Sequence, residues 1–305
     1  MVTKLRIFTS VFIELFATVG HGADVIRTEV EGKGFVADFY CRGDLTDKPG
    51  ILFLGGSEGG KPRTPFAELF AENGYPTLAL AYFKEKGLPD SLEMIPLEYF
   101  DKAIEWMEHN EKIGPGGIVV VGASRGAELA LLLASTKSAI KGVIALSPSS
   151  VVWNGMPKEA PMIVCSSWSL GGRPVPFMPA DPSKDLGKDI CPGGLRVIYK
   201  FFQEELIKKE AVEKAGIKVE QIHGSVLLAS GHDDEIWPAE EMGDAICSRL
   251  KEKGFKYNYE HLKYKDAGHT LSENYIIGGT FEGNKKARID LTERILAFLK
   301  AFDSK

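Results

Sequence analysis

Ile118-Val119-Val120-Val121-Gly122-Ala123-Ser124-Arg125-Gly126-Ala127-Glu128-Leu129-Ala130-Leu131 is the stretch on which the reading of this 305-residue chain turns. A β-branched apolar run stops at a Gly-x-Ser-x-Gly pentapeptide, and strong helix formers follow at once. That is the strand–turn–helix context of a nucleophile elbow. The turn must be so sharp that only residues without a Cβ fit beside the serine, and Gly122 and Gly126 meet that demand. Ser124 is then expected to stand exposed at the top of a sheet. The N–H of Arg125 would offer half of an oxyanion hole from the first helical turn. A structural glycine turn, as in a dinucleotide-binding fold, would share the glycines but not this setting.

A nucleophilic serine needs a base and a group to orient it, and in α/β-hydrolases these follow in the order Ser, acid, His. Ser225–Ala229 reads as a short buried strand, followed by Gly231-His232-Asp233-Asp234. Tyr257–Tyr264 reads as the next strand, followed by Asp266-Ala267-Gly268-His269. Ligands collect at the carboxyl ends of parallel strands, where Ser124, one of the two aspartates and His269 would all fall. Asp234, three residues beyond Gly231, is taken as the acid, with Asp233 left to turn or solvent. The remaining histidines are placed worse: His21 precedes the fold, His109 ends a helix, His223 precedes a strand, His232 abuts the acid and His261 lies inside a strand.

The rest of the chain fits one α/β catalytic domain over residues 24–305. Further strands are expected at Ile51–Leu54, Thr77–Ala81, Ile118–Val121 and Val143–Ser147. Helices are expected near Thr64–Asn73, Pro96–Asn110, Arg125–Ser135, Pro238–Lys253 and Lys285–Phe302. Such alternation implies a mostly parallel, doubly wound sheet, here headed by two antiparallel strands between Val25 and Arg42. The interval 151–224 breaks the rhythm and is rich in Pro, Gly, Trp and Phe, which suggests a lid-like insertion. Within it, Trp168, Pro176 and Phe177 are expected to line the acyl pocket. After Leu54, the Gly55-Gly56-Ser57-Glu58-Gly59-Gly60 loop lacks the fingerprint of a P-loop or a dinucleotide site. In a hydrolase it would supply the second oxyanion donor, from the N–H of Ser57 or of Gly56.

Composition narrows the function. A net charge of −5 carries no basic excess, which argues against a nucleic-acid partner. The four cysteines lack paired Cys-x-x-Cys spacings, so neither a zinc site nor a cofactor is expected. The partner expected for a Ser-Asp-His site is a small ester or, by family resemblance, an acyl thioester, and no stable membrane insertion is expected.

Several motifs resemble the acyl-CoA thioester hydrolase and bile-acid-CoA:amino acid N-acyltransferase family, in its carboxy-terminal catalytic domain. They are Leu80-Ala81-Tyr82-Phe83, Leu88-Pro89, Leu97-Glu98-Tyr99-Phe100-Asp101-Lys102-Ala103, Ser124-Arg125-Gly126-Ala127-Glu128-Leu129, Gly231-x-Asp-Asp-x-x-Trp, and Gly278-Gly279-Thr280 with Ala287. The resemblance runs from about Lys48 to the end and extends, more distantly, to dienelactone hydrolases. It implies an α/β-hydrolase fold, with Asp234 as acid and His269 as base. Eukaryotic members carry a β-sandwich ahead of this domain, for which too few residues precede Lys48. The N-acyltransferases of the family use Cys as nucleophile, whereas Ser124 implies hydrolysis of the acyl-enzyme by water. Acyltransfer and a silent binding role are the alternatives, the latter weakened by the presence of all three triad members.

The first 23 residues read in two ways. A basic start, an apolar stretch from Ile7 to Val19 and small residues from Gly20 to Ala23 resemble a secretory signal peptide. Glu14 within the apolar stretch favours instead an N-terminal extension packing on the domain. Export would make an oxygen ester the expected substrate and Cys165–Cys191 a candidate disulfide, with Cys41 and Cys247 free. In the cytoplasm all four would be thiols.

Overall fold

The computed structural model describes residues 25–43, 47–62, 65–156, 165–179 and 194–303. The N-terminal stretch read as a leader or extension lies outside them, as does Cys191. In chain order the elements are β1 (Val25–Val30), β2 (Val36–Arg42), β3 (Gly50–Leu54), α1 (Pro65–Glu72), β4 (Thr77–Ala81), β5 (Ile95–Pro96), α2 (Leu97–Glu108), β6 (Ile118–Ala123) and α3 (Arg125–Thr136). They continue with β7 (Ile140–Leu146), β8 (Trp168–Leu170), β9 (Arg173–Pro174), α4 (Gly194–Glu205), α5 (Lys209–Ala215), β10 (Ser225–Gly231), α6 (Ala239–Glu252), β11 (Tyr259–Tyr264) and α7 (Phe281–Lys300).

Eight strands form one sheet in the order β1-β2-β4-β3-β6-β7-β10-β11. The first two strands pair antiparallel with each other, and β2 pairs antiparallel with β4. From β4 to β11 every pairing is parallel. The strand side chains alternate between two apolar layers, as a period of two requires. Leu52, Leu54, Leu78, Leu80, Val120, Val143 and Leu228 join the layer holding Phe100 and Ile104 of α2, Leu129 of α3 and Ile246 of α6. Ile51, Phe53, Ala79, Val119, Val121, Ile144 and Leu227 face Phe70 of α1 and Leu291, Ile295 and Leu299 of α7. Central strands buried on both faces read as near-continuous apolar runs, which is why β3, β4 and β6 were visible in the sequence.

The insertion after β7 has more regular structure than its composition announced. β8 pairs with β5 and β9 in a small second sheet, and α4 and α5 follow. Its apolar side chains Val151, Trp153, Met178 and Ala215 pack with Trp237, Ala239 and Met242, joined by the partly buried Phe202. Two-residue strands and a helix preceded by a Pro/Gly run leave little periodicity to read. Cys165 stands as a free thiol whose sulfur lies 3.3 Å from Glu93 Oε1, and burial beside that carboxylate pushes it up to about 11. The bridge to Cys191 considered for an exported protein falls on a residue outside those described. Among the described residues no helix is long and apolar enough to cross a membrane.

Candidate active site

Ser124 follows β6 directly and sits at φ 54°, ψ −121°, as the residue before the first turn of α3. Such a backbone costs a non-glycine residue about 1–3 kcal/mol, and it persists only where the surroundings hold it. They do so here. The Ser124 N–H donates to Leu146 O at 2.9 Å, and its carbonyl accepts from Ala127 N and Glu128 N. A Cβ on Gly122 would lie 2.1 Å from Gly126 O, and one on Gly126 would lie 2.3 Å from Gly55 O. The two glycines thus close the elbow and seat it against the loop after β3.

The acid and base come from the carboxyl ends of β10 and β11. Asp234 and His269 are both buried, and Asp234 Oδ2 lies 2.7 Å from His269 Nδ1. The other carboxylate oxygen accepts from Ile236 N at 2.8 Å and Trp237 N at 3.1 Å. A carboxylate holding two backbone N–H groups and one imidazole has its orientation over-determined. Asp233 is exposed, and its backbone N–H donates to Ala267 O. Trp237 packs edge-on against the His269 ring at 5.9 Å between centroids, and Phe202 of α4 packs against Trp237 in turn. The insertion therefore backs the acid–base pair. Among the described residues no hydrogen bond joins Ser124 Oγ to the imidazole, a looseness common in unliganded sites.

The remaining expected residues divide. The loop of Gly56 and Ser57 abuts the elbow: a Cβ on Gly56 would lie 3.5 Å from Ser124 Cβ. Arg125 buries its guanidinium instead of presenting it to solvent, pairing with Glu128 at 2.7 Å. Trp168 is wholly buried, its indole N–H donating to Glu128 Oε1 at 2.7 Å. That makes it a strut under the site with no face left for an acyl chain, a correction to its expected role. The reason is its indole N–H, which finds a buried carboxylate on the elbow helix. Pro176 is exposed, and the half-buried Phe177 lines an open cavity of about 540 Å³ with Pro179, Lys208 and Lys209.

Three supporting residues escaped the sequence reading. Glu128 is fully buried, and burial pushes its carboxyl up against the opposing pull of Arg125. It ties the insertion to α3 through Trp168 and the N–H of Trp153. A lone Arg/Glu pair three apart in an otherwise apolar helix was the available signal. Ser147 Oγ donates to His269 O at 2.6 Å. Asn284 of α7 accepts from Gly268 N and donates to Gly278 O and Thr280 O, which pins the loop carrying His269. Nothing local in the sequence marks either of these two.

An eight-stranded sheet with a strained serine after a central strand and an Asp–His pair at the same edge defines the α/β-hydrolase class. The fold matches solved structures of that kind. A dienelactone hydrolase from Klebsiella pneumoniae superposes with a TM-score of 0.57 at 14% identity, covering 91% of this chain and 99% of the other. The family model described as BAAT / Acyl-CoA thioester hydrolase C terminal matches residues 95–278, and the chain belongs to this family. Acyl-coenzyme A thioesterase 1 of Mus musculus is 31% identical over 228 residues, which are 75% of this chain and 50% of that protein. Bile acid-CoA:amino acid N-acyltransferase of Mus musculus is 28% identical over 227 residues, 74% of this chain and 50% of that protein. The chain spans about half the length of the curated relatives it matches.

Proposed function

We propose that the protein is a serine hydrolase of acyl thioesters, working through an acyl-enzyme on Ser124. The observation that carries this reading is the His269–Asp234 pair at 2.7 Å, at the sheet edge where Ser124 is held in its strained elbow. In the first half-reaction His269 takes the hydroxyl proton as Ser124 Oγ attacks the acyl carbonyl. Asp234 keeps the imidazole in the tautomer whose Nε2 is free to accept, and stabilises the imidazolium that forms. The developing oxyanion is met by the N–H of Arg125, which has no carbonyl partner one turn back, and by the loop after β3. His269 then returns the proton to the departing thiol. In the second half-reaction it activates the water that clears the acyl group.

Thioester is preferred to oxygen ester because the family resemblance points to it, and serine rather than cysteine favours water as acceptor over an amine. Purified protein should hydrolyse acyl-CoA thioesters faster than p-nitrophenyl esters of equal chain length, and Ser124→Ala should abolish both activities. Faster turnover of the oxygen esters would make the protein a carboxylesterase. Retention of activity by Ser124→Ala would remove the nucleophile assignment.

A further inference from the structure

Glu58 is an acidic group beside Ser124 that the mechanism above leaves unused. Its loop leaves β3 with its carbonyls held from one side. Tyr82 Oη donates to Gly55 O at 2.6 Å and reaches Gly56 O at 3.3 Å. Lys84 Nζ donates to Ser57 O and Glu58 O, at 3.4 Å each. In a trans peptide the C=O and the following N–H point in opposite directions. Drawing the Gly55 and Gly56 carbonyls toward Tyr82 therefore turns the N–H groups of Gly56 and Ser57 away from it. Successive N–H groups facing one point make an anion nest.

The nest already holds an anion. Glu58 Oε1 accepts from Gly56 N at 2.8 Å. The nest adjoins the nucleophile, since the Cβ position on Gly56 lies 2.9 Å from Glu58 Oε2 and 3.5 Å from Ser124 Cβ. No lysine or arginine among the described residues forms an ion pair with this carboxylate. The cation that faces it is Lys84, with the His269 ring and the Tyr82 hydroxyl nearby. Burial pushes the Glu58 carboxyl up, so this anion is held by N–H groups in a place that disfavours its charge.

Resting on the reading of Ser124 as nucleophile, we propose that Glu58 is a displaceable anion seated in the oxyanion nest of the resting enzyme, which the acyl carbonyl must expel before Ser124 can attack. Expulsion returns a desolvated carboxylate to water on the side of Lys84, which offsets part of its cost. Because ground state and transition state both require the nest to be empty, Glu58 weighs on substrate binding more than on the chemical step.

The test uses the full chain with Glu58→Ala, which empties the nest, and Glu58→Gln, which keeps the shape without the charge. The probes are a fluorophosphonate, whose phosphoryl oxygen enters the same nest, and an acyl-CoA thioester. At mildly alkaline pH Glu58→Ala should label several-fold faster than the natural protein and show a lower KM with kcat nearly unchanged. The ratio of the two labelling rates should shrink as pH falls and the natural carboxyl takes a proton, whereas Glu58→Gln should show no such pH dependence relative to Glu58→Ala. Slower labelling of Glu58→Ala, or a loss confined to kcat, would overturn the proposal and make Glu58 a support of the loop. A ratio constant with pH would overturn the role of its charge. Labelling that Ser124→Ala does not prevent would instead overturn the nucleophile assignment.

Discussion

Among the described residues two serine–histidine–aspartate constellations can be compared, and by hydrogen bonding alone the one not proposed as catalytic looks better made. Ser230 Oγ lies 2.7 Å from His261 Nε2, and His261 Nδ1 lies 3.0 Å from Asp244 Oδ1. The Ser124 chain is joined only between His269 and Asp234. Sequence order does not separate them, because Ser230, Asp244 and His261 also run serine, acid, histidine. What separates them is backbone and burial. Ser230 is an interior residue of β10 and wholly buried. Ser124 stands on a strained turn before α3, with the N–H groups of two elements near it. Ser230 and His261 belong to neighbouring parallel strands, and Asp244 belongs to the helix packed over them. That chain satisfies polar groups between packed layers. A relay becomes a site when a substrate can reach the oxygen and donors await its carbonyl.

The largest effects should fall on the Ser124 constellation alone. Ser124→Ala should lower kcat by about 10⁶-fold, the scale seen when such a nucleophile is removed. Ser230→Ala should keep turnover within a few-fold and lower stability by about 1–3 kcal/mol, because His261 loses its partner in a buried place. Steady-state kinetics with denaturant titration of both variants checks the contrast, and a large kinetic loss in folded Ser230→Ala would reverse it.

The acids sharpen the same contrast one step down. Asp234→Asn should cost about 10⁴-fold in kcat by admitting the wrong imidazole tautomer. The exposed Asp233 and the distant Asp244 should each tolerate Asn with little kinetic effect. If Asp233→Asn proved the damaging change, the acid assignment would pass to that residue.

A smaller effect is expected in pH dependence. Burial holds the His261 imidazole below its ordinary value, against the opposing pull of Asp244. Below the ordinary histidine pKa of about 6.5 the unfolded chain takes up a proton that the folded state refuses, so this residue makes stability fall with falling pH. Burial would push Asp244 up, but hydrogen bonds from Lys263 and His261 outweigh it and hold its carboxyl down. Its loss therefore comes at lower pH, within the carboxylate range. Urea midpoints between pH 7 and 5 should fall less steeply in His261→Gln than in the natural protein. Equal slopes would show that His261 titrates alike folded and unfolded.

The smallest effect concerns Ser147, which holds the His269 carbonyl without touching the ring. Ser147→Ala should cost about 1 kcal/mol of stability and reduce kcat by less than either triad change. A kcat loss as large as that of Asp234→Asn would mean that this hydrogen bond sets the position of the imidazole.

By itself, the sequence determined the sheet and the elbow. The apolar runs of β3, β4, β6 and β10 had to be strands buried on both faces, and Gly122 and Gly126 had to flank a turn where no Cβ fits. Chain order and strand ends were enough to single out Ser124, Asp234 and His269 as candidates, because parallel strands deliver their carboxyl ends to one edge. Only the tertiary structure decided the rest, since it depends on partners far apart in the chain. Trp168 is a strut because Glu128 lies where its indole N–H points. Ser147 matters through a carbonyl 122 residues away, and Asn284 through an amide 16 residues away, both in the loop that carries His269. The Gly55–Gly60 loop is held in place because Tyr82 and Lys84, from the next strand's end, take up its carbonyls. Period and composition record which face of an element is buried, but hydrogen-bond direction is settled only when those elements meet.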